Sequence, residues 1–204
     1  KPVSGVIAAS AGNHAQGVAL AATRLGLDAT IVMPKTTPEI KVKAVQARGG
    51  KTVLVGDAYD DAYRHAIKLA DEKQLEFIHP YDHPDTIAGQ GTIGMEILRQ
   101  HNDSIDAVFV PVGGGGLIAG VGAYIKYLRP ETKIIGVEPE DARRLAEALR
   151  MQRRVVLNDV GIFADGVAVM QIGRETLSVA RQCVDDVICV WTDEICAAIK
   201  DFFE

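Results

Sequence analysis

The chain has 204 residues, of which 48% are hydrophobic and 24% charged, with a net charge of −5. That is enough chain for one large or two small globular domains. An acidic balance with no basic cluster argues against a nucleic-acid binder, and no apolar run approaches the roughly 20 residues of a membrane span. The three cysteines, Cys183, Cys189 and Cys196, have no metal-ligand spacing and are expected as reduced core thiols in a cytoplasmic protein.

In chain order, Val3 to Ala9 reads as a short buried strand. The polar turn Ser10-Ala11-Gly12-Asn13-His14-Ala15-Gln16-Gly17 leads into an Ala-rich helix to about Leu25. Strands are expected over Asp28 to Met33, Thr52 to Val55 and around Phe77-Ile78. Helices fall between them. One is opened by Thr37-Pro38-Glu39, with Thr37 as cap, and stopped by Gly49-Gly50; another runs from Tyr59 to about Lys73. The segment His79-Pro80-Tyr81-Asp82-His83-Pro84 breaks this alternation and marks a domain boundary. A helix from Asp85 to Gln100 follows, then a strand from Ala107, four glycines and an apolar helix. Lys133 to Glu138 is a strand and Glu140 to Met151 a charged helix. Gln152 to Gly173 is irregular, Glu175 to Cys183 a helix and Val187 to Val190 a strand; Thr192 caps a last helix. The alternation predicts an α/β fold of two open, mostly parallel sheets flanked by helices. A small domain covers residues 1–82 and a larger one 83–204, both incomplete. The abrupt start and finish read as a fragment of a longer protein.

Two loops carry the chemistry. Gly113-Gly114-Gly115-Gly116-Leu117 joins a buried strand to a helix start, so free N–H groups and the helix dipole converge on one point suited to a phosphate. Ser10 to Gly17 is a second strand-to-helix turn, with Ser10 and Asn13 side chains beside helix N-terminal amides, suited to an anion such as a carboxylate. Gly114-Gly115-Gly116-Leu117-Ile118-Ala119 also satisfies a dinucleotide-binding pattern, with Glu138 placed to bind a ribose hydroxyl. That alternative, an NAD-type domain, leaves the first loop without a role. A third alternative is a non-catalytic folded piece. His79 and His83 around Asp82 read as parts of a loop clamp, no metal site is assigned, and Trp191 and the cysteines are expected in the core.

Together, the Ser10 to Gly17 loop and the Gly113 to Leu117 loop resemble the pyridoxal-phosphate enzymes of the tryptophan-synthase-β type. Asp82-His83-Pro84 and Ile87-Ala88-Gly89-Gln90-Gly91-Thr92 narrow the resemblance to threonine/serine dehydratases. Phe163-Ala164-Asp165-Gly166-Val167-Ala168-Val169 and Asp193-Glu194-Ile195-Cys196-Ala197-Ala198 are similar to the biosynthetic threonine dehydratases. The resemblance implies pyridoxal 5'-phosphate as cofactor, its phosphate on Gly113, Gly114, Gly115, Gly116 and Leu117, its 3-hydroxyl on Asn13, and the substrate carboxylate on Ser10, Ala11, Gly12, Asn13 and His14. It implies conversion of L-threonine to 2-oxobutanoate and ammonia, or of L-serine to pyruvate, in isoleucine biosynthesis by a homo-oligomer. The family's Schiff-base lysine precedes the asparagine loop by a few tens of residues. Lys1 is therefore not assigned that role, and the 204 residues alone are expected to be inactive.

Overall fold

A computed structural model describes residues 4–203. Lys1 and Val3, where the sequence reading began, lie outside the described residues. The chain divides into two compact units, Lys1–Pro80 and Tyr81–Glu204.

In the first unit, β1 (Val6–Ala9), β2 (Ala29–Met33), β3 (Lys51–Leu54) and β4 (Glu76–Phe77) form one sheet in the order β3-β2-β1-β4, every pair parallel. Strand side chains alternate between faces, and both faces of this sheet are apolar. Ala8, Ile31 and Met33 pack with Ala15, Val18 and Ala19 of α1 (Asn13–Arg24) and Val45 of α2 (Glu39–Gln46). On the opposite parity, Ile7, Ala9 and Val32 pack with Ala62, Ala66 and Ala70 of α3 (Tyr59–Lys73). Alanines at a spacing of four give α3 a flat stripe that lies close on the sheet. Thr37 is not the cap of α2. Pro38 occupies that position, and the Thr37 hydroxyl is buried without a hydrogen-bond partner among the described residues.

The second unit begins with α4 (Pro84–Gln100), capped by His83, whose Nδ1 accepts from the Asp85 N–H at 3.2 Å. Its parallel sheet has the order β5-β6-β7, from β5 (Ala107–Pro111), β6 (Lys133–Pro139) and β7 (Asp186–Val190). One face carries Val110, Ile134 and Val187 under α5 (Gly116–Leu128) and α7 (Arg174–Cys183). On the other parity Phe109 is 61% and Ile188 40% exposed. Gly91 and Gly120 let α4 and α5 touch backbone to backbone: a Cβ on Gly120 would sit 2.2 Å from the Ile87 carbonyl oxygen.

The charged helix expected over Glu140 to Met151 is interrupted. Glu140–Ala142 is a single 3₁₀ turn, and α6 (Arg144–Arg150) starts afresh because the Glu138 carboxylate caps it there. Residues between α6 and α7 are irregular, apart from a bridge between Val156 and Gln171 and a 3₁₀ turn at Asp165–Val167. The last helix, α8 (Thr192–Asp201), is capped by Trp191 rather than Thr192, with the Glu194 carboxylate accepting from the Trp191 N–H at 2.7 Å. Trp191 is 62% exposed and Cys196 exposed, so neither is the core residue the sequence suggested. Only Cys183 is buried; its thiol donates to the Val179 carbonyl, and burial pushes its pKa up to about 11.

Candidate active site

The tetraglycine loop leaves β5 and enters α5. The Gly113 carbonyl accepts from Arg144 Nε at 2.8 Å, and the Val112 carbonyl accepts from Arg144 Nη2. The Gly114 carbonyl accepts from the Thr176 hydroxyl at 2.8 Å and from the Gly173 N–H at 3.2 Å. The Gly115 carbonyl accepts from the Ala119 N–H at 3.0 Å, the first bond of α5. Every carbonyl from 112 to 115 is thus engaged. Among the described residues, no partner takes the N–H groups of Gly113, Gly114, Gly115, Gly116, Leu117 and Ile118. Carbonyls tied back, amides free and a helix N-terminus at the same place make an anion cradle. A phosphate group fits this donor set.

Three of the four glycines are required for two physical reasons. Gly115 alone has a left-handed backbone, with φ +92°. Gly114 and Gly116 need space, while a Cβ on Gly113 would make only ordinary contacts, the nearest at 3.4 Å from Val167 Cα. A Cβ on Gly114 would lie 2.2 Å from the Tyr81 ring, and one on Gly116 3.0 Å from the Tyr81 Cβ. Tyr81 is held there by its neighbour. The Asp82 carboxylate accepts from the N–H groups of Arg174 and Glu175 at 2.8 Å and of Thr176 at 3.2 Å, capping α7 from 92 residues away. The same helix carries the Thr176 that fixes Gly114. Sequence reading gave no role to Tyr81, Arg144 and Thr176 and read Asp82 as part of a loop clamp and a family motif, because these roles depend on contacts distant in sequence.

Glu138 corrects the dinucleotide alternative. It is 0% exposed, and its two carboxylate oxygens accept from the Leu145 and Ala146 N–H groups at 2.9 Å each. Arg144, also 0% exposed, lies 3.9 Å away. Burial pushes the Glu138 carboxyl up, opposed by those two amides and by Arg144. A carboxylate whose oxygens are spent on α6 is not free to bind a ribose hydroxyl. A legible signal existed: Glu138 shares the parity of the buried Ile134 and so points toward the covering helices.

In the first unit, the loop at the carboxyl end of β1 has the same character. Ser10 Oγ accepts from the Gly12 N–H at 3.2 Å, which leaves its own proton to donate. Among the described residues, the N–H groups of Ala11, Asn13, His14 and Ala15 have no partner. Gly12 and Asn13 are exposed. Gly12 has an ordinary φ of −117°, and an added Cβ there would meet nothing within 4 Å. No contact of the described residues demands glycine at that position.

His14 points elsewhere. Its Nε2–H donates to the Ile78 carbonyl at 3.0 Å, and burial lowers its pKa from 6.5. The ring ties α1 to the end of β4. At a pH below 6.5 the unfolded chain takes up a proton that folded His14 refuses, so stability falls as pH drops through 6.5 toward the folded value. Urea midpoints of the full-length protein between pH 8 and pH 5 are expected to fall less steeply in His14→Gln, which keeps a donor and does not titrate. An identical slope in the variant would contradict this role.

His79 packs edge-on against Tyr63 and Phe77. Among the described residues, no group of three or more His, Cys, Asp or Glu could hold a metal ion, and no helix is long and apolar enough to cross a membrane.

The parallel α/β units and a glycine loop with free amides suit an anion, and comparison with known proteins makes the class specific. A family model described as "Pyridoxal-phosphate dependent enzyme" matches residues 1–204, and the chain belongs to that family, whose cofactor is pyridoxal phosphate. The chain is 60% identical over 200 residues to the chloroplastic biosynthetic threonine dehydratase of Arabidopsis thaliana, covering 98% of this chain and 34% of that protein. It is 57% identical over 203 residues to the biosynthetic L-threonine dehydratase IlvA of Burkholderia multivorans, covering 98% and 40%. The solved processed form of threonine deaminase isoform 2 from Solanum lycopersicum superposes with a TM-score of 0.94 at 54% identity, over 98% of this chain and 55% of that one. The chain therefore spans between a third and two fifths of the length of these curated relatives.

Proposed function

We propose that the full-length protein carrying this sequence is a pyridoxal-phosphate-dependent threonine ammonia-lyase. It converts L-threonine to 2-oxobutanoate and ammonia, and L-serine to pyruvate, as a homo-oligomer in isoleucine biosynthesis. The observation that carries the reading is the loop Gly113–Leu117, with its carbonyls bound behind it and its amides free, in a chain 60% identical to a biosynthetic threonine dehydratase.

Pyridoxal phosphate, when bound, supplies an electron sink for the bond broken at the substrate Cα. The residues of this chain bind and orient. Gly113 to Leu117 offer amides to the phosphate. Asn13, exposed at the start of α1, is assigned to the 3-hydroxyl of the ring. The Ala11, Asn13 and His14 amides and the Ser10 hydroxyl are assigned to the substrate carboxylate, the position of negative charge that a helix N-terminus favours. His14 contributes through its amide, since its ring serves the Ile78 carbonyl. By the family resemblance, the lysine that carries the cofactor is none of those in this chain, so the 204 residues alone are inactive. We place the protein in the cytoplasm, a reading supported by three unpaired cysteines; the Arabidopsis relative is named chloroplastic, and cell fractionation decides the compartment.

The test is 2-oxobutanoate release from L-threonine by the full-length protein with pyridoxal phosphate. Turnover above that of free cofactor supports the proposal, and none overturns it. Gly12→Ala probes the carboxylate loop. The added Cβ meets no protein atom, so thermal stability should be unchanged while KM for threonine rises by about tenfold. An unchanged KM would remove Gly12 from the substrate site.

A further inference from the structure

Arg144 and Glu138 are both 0% exposed, and neither has been given a part in binding. A buried ion pair is weak as a source of stability, because an apolar pair of similar volume does as well or better. The hydrogen bonds show another use. Arg144 donates from Nη1 to the Ala142 carbonyl at 2.6 Å, from Nε to the Gly113 carbonyl at 2.8 Å, and from Nη2 to the Val112 carbonyl. In a trans peptide, C=O and N–H point in opposite directions. The peptide units 112–113 and 113–114 that present their oxygens to Arg144 therefore turn the Gly113 and Gly114 N–H groups away from it. Those two donors open the cradle, and both are without a partner among the described residues.

We infer that Arg144, seated by Glu138, is a positioning residue for the phosphate cradle. Its planar fork sets the direction of the first two amides of the Gly113 to Leu117 loop. The inference rests on the reading of that loop as the cofactor-phosphate site. Glu138 completes the device from behind. It supplies the counter-charge at 3.9 Å and holds the α6 N-terminus through Leu145 and Ala146, which fixes where Arg144 begins. Because the pair is close to neutral overall, its contribution is direction rather than net field. A lysine is a point charge with rotatable donors and lacks the planar fork that fixes the directions of both carbonyls.

The experiment compares affinities of the full-length apoprotein for pyridoxal phosphate and for pyridoxal, the same ring without phosphate, by equilibrium dialysis. Arg144→Met is expected to lower pyridoxal-phosphate affinity by about tenfold while pyridoxal affinity changes by less than about twofold. Arg144→Lys should recover only part of the loss. Glu138→Gln, nearly isosteric, should lower the same ratio by about threefold, and it decides the matter if Arg144→Met does not fold. An unchanged ratio in the variants that fold, an equal loss for both ligands, or full recovery with lysine would overturn the inference. Gly115→Val, measured alongside, separates the two layers. If it lowers the ratio and the Arg144 and Glu138 variants do not, the positioning role falls and the cradle stands. If none of them changes the ratio, the cradle reading falls as well.

Discussion

Replacing Gly115 with valine in the full-length protein is expected to weaken pyridoxal-phosphate binding by about 100-fold, the equivalent of about 3 kcal/mol. The first part is conformational. Gly115 has φ +92°, and a left-handed backbone costs a residue with a Cβ about 1–2 kcal/mol, more when the side chain is β-branched. The second part is crowding. The new Cβ would lie 3.0 Å from the Thr176 hydroxyl and 3.1 Å from the Ile172 side chain, and such overpacking costs about 1–3 kcal/mol. The loop can escape both only by rotating its peptide units, which takes the amides out of register with a phosphate. Thr176 would be displaced from the Gly114 carbonyl at the same time. Titration of the apoprotein with pyridoxal phosphate reads the effect, and an affinity within about threefold of the parent's would contradict it.

Asp82→Ala is expected to destabilise the second unit by about 3 kcal/mol, read from urea unfolding of the full-length protein. Three backbone N–H groups at the start of α7 lose a charged acceptor together. No other acceptor for them is found among the described residues, so they must find water in the first turn of a helix whose Leu177 and Ala180 belong to the core. Asp82→Asn keeps the shape and loses the charge, and a loss of about 1 kcal/mol is expected there. Amide exchange should localise the change to α7, and the freed Thr176 should lower cofactor affinity. A loss below about 1 kcal/mol for Asp82→Ala would mean that α7 does not depend on this cap.

The elements that sequence reading located well are those whose signals are local. The helix from Tyr59 to Lys73 has the ends expected of it, because an alanine stripe and flanking strands define it without reference to the rest of the chain. The glycine run at the carboxyl end of β5 was legible for the same reason, as was the polar turn after β1. What was not legible depends on contacts distant in sequence. Asp82 caps a helix 92 residues away, and its own neighbourhood of prolines and histidines says only that a loop is there. Arg144 sits in a run of charges that reads as a solvated helix. Only the fold separates it from Arg143, which is partly exposed in a pair with Glu140. Trp191 and Cys196 show the converse error: apolar character placed them in a core, yet both are exposed on or beside α8.

Glycine shows a further limit of reading type without environment. At 114 it is required by the Tyr81 ring, at 116 by the Tyr81 Cβ and backbone, at 115 by a positive φ, and at 12 by none of these. The sequence presents all four alike. Only the geometry distinguishes glycines that fit the protein to itself from the one with open space around it.

The most direct test of the central claim, that Gly113 to Leu117 hold the cofactor phosphate, is a crystal structure of the full-length protein with pyridoxal phosphate bound. Phosphate oxygens at about 2.7–3.1 Å from at least three of those five amide nitrogens are the predicted result. A phosphate bound elsewhere, with these amides hydrogen-bonded to protein or water alone, would contradict the account.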